Sequence, residues 1–320
     1  MGSLKNSFLS NFFQMNKQVN APILFLIFNR PDTTQRVFNA IRQVKPKQLF
    51  VAADGPRCDK VGDEEKCEAS RKIVKQIDWD CEVKTLFRNE NLGCGKAVSS
   101  AITWFFENVE EGIILEDDCL PNLDFFSYCE EMLGYYRNNK EVMFIGGDNF
   151  QKDKKWGGAS YYFSAYNHVW GWATWKRVWN IYDFKLDSIK DSDIDNILNY
   201  YFYSVCQIKY WKNIFKRMKG NNPIDTWDYQ LTFSIWKNKG ISIIPNVNLV
   251  TNIGFDDVAT HTVNKEDKTA NISSSIILPI THAKEIKIHK EADKKYFRLF
   301  IRPIFLLRVI KKILRIIKNK

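Results

Sequence analysis

Between Ile23 and Asp118 the sequence alternates four short apolar runs with three helical patterns, and this rhythm restricts the fold more than any other feature. Residues 23–28, 49–53, 81–87 and 112–115 have the length and apolar content of strands. Pro31 opens a helix carrying Val37, Phe38 and Ile41 on one face. A polar helix is expected over 63–77, and a loop entering a helix over 93–107. Such a βαβαβαβ order predicts an α/β fold with a mainly parallel sheet and helices on both faces. Ligands of such sheets lie beyond the carboxyl ends of the strands. Here those ends carry Asn29-Arg30, Asp54 and Glu116-Asp117-Asp118.

The rest is less regular. A helix is expected over 125–137, a strand over 142–147, and a helical region over 193–218. Residues 156–179, rich in glycine and aromatics, read as a loop leading into a helix near Ala173. A helix over 225–239 and a strand over 241–245 follow. The composition shifts only near Lys284. The expected organisation is an N-terminal extension (1–20), one domain (21–285, with halves 21–120 and 121–285) and a basic tail (286–320).

Charge separates the tail from the body. From Lys294 onward there are ten Lys/Arg and no acid, leaving thirty-seven basic against thirty-seven acidic residues elsewhere. A nucleic-acid reader would carry a basic face on its body, so no nucleic-acid partner is expected. The seven cysteines are odd in number and form no CxxC pair, which excludes a complete disulfide framework and argues against a zinc site. Reduced thiols in a cytoplasmic protein are expected. The apolar patch at 8–13 is broken by Ser10 and Asn11 and is too short to span a membrane.

The sharpest chemical signal is Glu116-Asp117-Asp118. Adjacent carboxylates repel, and a divalent cation bridging to a diphosphate would hold them together; Mg²⁺ and Mn²⁺ accept one or two carboxylates plus phosphate oxygens. The plain alternative is an acidic turn. Arg30 can pair with phosphate or a base edge, or simply precede a helix. Asp54 can accept from a nucleobase or ribose, although Asp-Gly-Pro is also ordinary turn chemistry. Lys96 ends a glycine-bearing loop (88–96) that can meet phosphate but lacks P-loop spacing. Asp225 and Asp228 open a helix, Asp225 as its N-cap and Asp228 at its third position, and either can be the general base for an acceptor hydroxyl. Trp227 between them would offer a sugar an apolar face.

Assembled, these pieces resemble a glycosyltransferase of the GT-A fold, above all the N-acetylglucosaminyltransferase I branch of inverting enzymes. They are also similar to bacterial sugar transferases of surface-polysaccharide clusters. The resemblance covers residues 21–265: FNR at 28–30, ADGP at 53–56, ILEDD at 114–118, GWATW at 171–175, DTWD at 225–228 and PNVNLVTNIG at 245–254. It implies nucleotide contacts from Arg30 and Asp54, a donor contact from Asp117, and Mn²⁺ or Mg²⁺ on Asp118. It also implies a base at Asp225 or Asp228, and His261 at the phosphates or the metal. The motif is EDD rather than DXD, so the metal would rest on Asp118. The implied partners are a nucleotide-diphospho-sugar donor and a glycan or lipid-linked oligosaccharide acceptor.

The tail adds an expectation of its own. Arg308, Lys311, Lys312, Arg315 and Lys318 recur at helical spacing among Ile, Leu and Phe. Such a helix suits an anionic membrane surface, placing residues 294–320 on the inner face of the cell membrane and the enzyme there as a peripheral protein. Two other readings are a sugar nucleotidyltransferase, which needs a glycine-rich, arginine-bearing loop after the first strand, and a haemolysin-like membrane-binding protein acting through its tail.

Overall fold

The computed structural model describes residues 18–151, 154–186, 189–220, 223–254, 273–276 and 278–302. The first half follows the expected rhythm: β1 (Ile23–Ile27), α1 (Pro31–Val44), β2 (Gln48–Ala53), α2 (Asp63–Lys72), β3 (Glu82–Phe87), α3 (Gly93–Asn108) and β4 (Glu111–Glu116). The polar helix is shorter than expected, because its last turn tightens into a 3₁₀ segment, Ile73–Gln76. β1 is buried along its whole length and β2 nearly so, as parallel strands covered on both faces must be.

The second half comprises β5 (Cys119–Pro121), α4 (Leu123–Tyr136), β6 (Val142–Gly146), β7 (Tyr161–Ser164), β8 (Trp172–Trp175), α5 (Lys176–Trp179), α6 (Asp191–Tyr201), α7 (Val205–Met218), α8 (Asp228–Lys237), β9 (Ile241–Pro245), β10 (Val250–Asn252) and α9 (Lys290–Tyr296). Three expectations are corrected. The aromatic stretch expected as a loop holds two strands, β7 and β8. Both are buried at every position and so lack the alternation that marks a half-buried strand. The helical region at 193–218 is two helices, separated at 202–204. The helix expected from residue 225 starts at Asp228, with Trp227 as its cap residue, so Asp225 is not its N-cap.

The strands form one eight-stranded sheet of order β3-β2-β1-β4-β8-β6-β9-β7. Six run one way; only β8 and β7 run against them. The protein is an α/β protein with a mainly parallel sheet. From β1 the chain winds outward through β2 to β3, then crosses back to place β4 on the other side of β1. A crevice therefore opens beyond the carboxyl ends of β1 and β4, the place where open α/β sheets take ligands. A small second sheet pairs β5 with β10, Asn252 opposite Cys119, and returns the later chain to the end of β4.

Aromatic side chains fill much of the core. Trp227, expected to face a sugar, is 3% exposed and stacks on Trp172 with ring centroids 5.5 Å apart. Among the described residues no helix is long and apolar enough to cross a membrane. Residues 303–320, which hold most of the expected amphipathic tail, lie outside the described residues.

Candidate active site

The crevice between β1 and β4 is built by short polar links. The backbone N–H of Phe28 donates to Asp117 Oδ2 at 2.9 Å, locking the end of β1 to the acidic segment. Asn29 is buried and its amide donates to Asp63. Arg57 grips the same Asp63 with both its backbone N–H, at 2.9 Å, and its guanidinium, at 2.8 and 3.1 Å. These bonds, the Arg57 side chain first, hold the Asp63 carboxyl down at about 2. Sequence reading missed this brace, since Asp63 looks like an ordinary acid in the first turn of a helix.

Arg30 Nη1 lies 3.1 Å from Asp118 Oδ2, with the side chains 15% and 20% exposed. The pair is thus partly shielded yet reachable. Gly254, two residues past β10, packs on it. A Cβ built there would stand 2.3 Å from Asp118 Oδ2 and 2.9 Å from Arg30 Nη1, so the close approach requires glycine.

Asp54, at the end of β2, accepts from the Leu92 N–H at 3.0 Å and from the Asn91 amide at 3.0 Å. Burial pushes its carboxyl up, opposed by the Leu92 bond. Asp225 reaches the next turn of the same segment: Cys94 N–H donates to its Oδ2 at 3.0 Å and Gly95 N–H to its Oδ1 at 2.8 Å. The N-terminus of α3, expected to meet a ligand's phosphate, is therefore occupied by two carboxylates of the chain itself. Lys96 is exposed on the following residue.

Asp228 is the first residue of α8 and accepts from the Thr226 hydroxyl. Its charge is felt at Glu116. Burial first, then Asp118, Asp117 and Asp228, push the Glu116 carboxyl well above the usual range, with Arg30 opposing. Cys94 senses the same assembly: burial, followed by Glu116, Asp225, Asp228 and Asp54, raises its thiol to about 12. Five of the acids singled out in the sequence, Asp54, Glu116, Asp118, Asp225 and Asp228, thus converge with Arg30 on one crevice. His261 lies outside the described residues.

One buried pair was not foreseen. His168 and Asp148 approach to 3.9 Å beyond the end of β6, and burial lowers the imidazole to about 4 while raising the carboxyl. The Tyr296 ring covers His168, with centroids 4.4 Å apart, so the C-terminal segment packs against the second half of the domain.

Among the described residues no group of three or more His, Cys, Asp or Glu side chains is arranged to hold a metal on its own. Glu116 and Asp118 carry carboxylate oxygens, the donor type that a hard cation takes. Mg²⁺ or Mn²⁺ accepts few protein ligands when phosphate oxygens and water complete its shell.

No family model matches the chain, and no curated protein matches it by sequence. Several solved structures match in overall shape. HddC from Yersinia pseudotuberculosis is 12% identical, with a TM-score of 0.33 over 52% of this chain and 84% of that one. TarS 1-349 from S. aureus is 11% identical, with a TM-score of 0.39 over 72% of this chain and 59% of that one. A UDP-glucose pyrophosphorylase complexed with UDP-glucose is 10% identical, with a TM-score of 0.38 over 73% of this chain and 93% of that one. At these identities and scores the chemistry has to be read from the residues of the crevice.

Proposed function

We propose that this protein is a GT-A-type glycosyltransferase that moves a sugar from a nucleotide-diphospho-sugar to a hydroxyl of a glycan or lipid-linked acceptor. The observation that carries the reading is the arrangement at the β1–β4 crevice. A partly shielded Arg30–Asp118 pair stands where a diphosphate would lie, and a second carboxylate, Asp228, enters the same electrostatic field from a different element. The sequence resemblance favours a UDP-sugar and an inverting reaction.

In that reaction Asp228 takes the proton from the acceptor hydroxyl. The hydroxyl oxygen forms its bond to the anomeric carbon from the face opposite the leaving group. The bond from that carbon to the phosphate oxygen breaks, and its electron pair leaves with the nucleoside diphosphate. Arg30 lies beside the leaving group and offsets its charge. Asp118 and Glu116 would hold a divalent cation, which when bound supplies further charge to the diphosphate. Asp225 keeps the α3 turn and the start of α8 in register, which makes it a positioning residue. Asp54 in turn positions the Asn91-Leu92 loop beside the nucleotide.

A sugar nucleotidyltransferase fits less well, because α1 begins at Pro31 directly after Arg30 and leaves no glycine-rich loop. The basic composition of the tail and the acceptor implied by the resemblance favour a reaction at a bacterial membrane surface, in surface-polysaccharide synthesis. The direct test is release of nucleoside diphosphate from a panel of nucleotide-sugars with Mn²⁺ and a lipid-linked acceptor extract. Acceptor-dependent release from one donor class supports the reading, and no release from any donor contradicts it.

A further inference from the structure

On the side of the molecule formed by α9, the loop between α6 and α7 and the π-helical segment Phe297–Ile301 that continues α9, the structure contains a cavity of about 550 Å³. Four cations line it: Lys290, Lys294, Arg298 and Arg302. Because all four line one cavity, they share one side of the C-terminal segment. Two acids also line the cavity and offset only part of this charge. Asp293 is 6% exposed and accepts from Ser164 and Ala165, and Glu291 stands 4.0 Å from Lys294. Tyr203, which also lines the cavity, is 76% exposed. Lys290 donates to the Tyr203 hydroxyl at 2.7 Å and lies 4.2 Å from the centre of its ring, which fixes that side chain at the mouth.

We propose that this cavity binds the phosphodiester headgroup of an anionic phospholipid, seating the enzyme on its membrane. The inference rests on the membrane-surface part of the proposed function and gives it a site. Guanidinium groups match phosphate oxygens in pairs, while Lys290 and Lys294 add point charges. Tyrosine is favoured at the depth of the headgroups, where its ring is apolar and its hydroxyl wet. A cationic pocket with an exposed tyrosine at its lip therefore presents charge to the phosphate and an aromatic ring to the acyl boundary together. The sequence after Arg302 continues the pattern with six further Lys/Arg and no acid.

The test is co-sedimentation of the full-length protein with phosphatidylcholine vesicles, with and without phosphatidylglycerol. Lys294→Gln with Arg298→Gln should lower the partition coefficient on anionic vesicles by roughly 25-fold, and Glu at both positions by more. The melting temperature and nucleoside diphosphate release on a soluble acceptor should not change, because both side chains are exposed and lie outside the crevice. Inorganic phosphate, at ionic strength matched with chloride, should not displace the wild type from vesicles. If the double variants bind like the wild type, the cavity is not the site. Equal binding to pure phosphatidylcholine, or displacement by inorganic phosphate, overturns the headgroup assignment. A wild type that releases nucleoside diphosphate but never sediments refutes the membrane site while leaving the transferase intact.

Discussion

Asp225 lies 2.8 Å from the backbone nitrogen of Gly95, a contact that spans 130 positions of sequence and caps a helix to which Asp225 does not belong. The contact assigns different work to the two acids of the DTWD segment. Asp225 is committed to the α3 N-terminus, while Asp228 opens α8 beside Glu116. Asp225→Ala should destabilise the protein by about 1–2 kcal/mol, and Asp225→Asn by less, because the amide oxygen still accepts one N–H. Chemical denaturation measures this; equal stability of both variants and wild type would show that the cap contributes nothing.

Asp228→Asn should reduce turnover by about 10²-fold or more while leaving nucleotide affinity near normal. The comparison requires kcat and a separate binding titration. If Asp225→Asn abolished turnover in a fully folded protein while Asp228→Asn did not, the two roles would have to be exchanged.

Gly254→Ala tests the Arg30–Asp118 pair without removing either partner. The added methyl would meet Asp118 Oδ2 at 2.3 Å and Asp118 Cβ at 2.8 Å, so the carboxylate must move. Nucleotide binding in the presence of Mn²⁺ should weaken by about tenfold or more, an effect of at least 1.4 kcal/mol. Unchanged affinity would mean that the pair does not face the ligand.

Asp293 gives a pH signature. It is buried, and burial raises its carboxyl to about 7 against the donors Ser164 and Ala165. The unfolded chain releases this proton near pH 4, roughly the ordinary aspartate value. Between those two values the native state binds more protons than the unfolded state, so this contribution to stability falls as pH rises and levels off above about 7. Asp293→Asn stays neutral throughout. Its stability relative to wild type should therefore climb by roughly 4 kcal/mol across that interval. A difference that does not change with pH would show that Asp293 is ionised in the native state throughout.

The strands that build the crevice were legible because apolar runs of strand length, each closed by polar residues, encode them locally. Arg30, Asp54 and Asp118 could be placed at strand ends for that reason. What escaped was non-local or lacked periodicity. Tyr161–Ser164 and Trp172–Trp175 are four-residue strands buried on both faces, so nothing alternates. Trp227 looked like a sugar platform because its stacking partner, Trp172, lies far away in sequence. The Asp63 brace and the Asp225 cap depend on partners brought together only by the sheet. The cationic cavity was half visible: the charge of the C-terminal segment could be counted, but its meeting with Tyr203 could not.

In the proposed reaction the β1–β4 crevice binds a nucleotide diphosphate through Arg30 and the acids at 116–118. Calorimetric titration of UDP into wild type and Asp118→Asn, each with and without Mn²⁺, tests it most directly. UDP should bind the wild type, Mn²⁺ should tighten binding, and Asp118→Asn should keep its melting temperature but lose the metal-dependent gain. Equal Mn²⁺ enhancement in the variant, or no UDP binding by the wild type under any of these conditions, would contradict it.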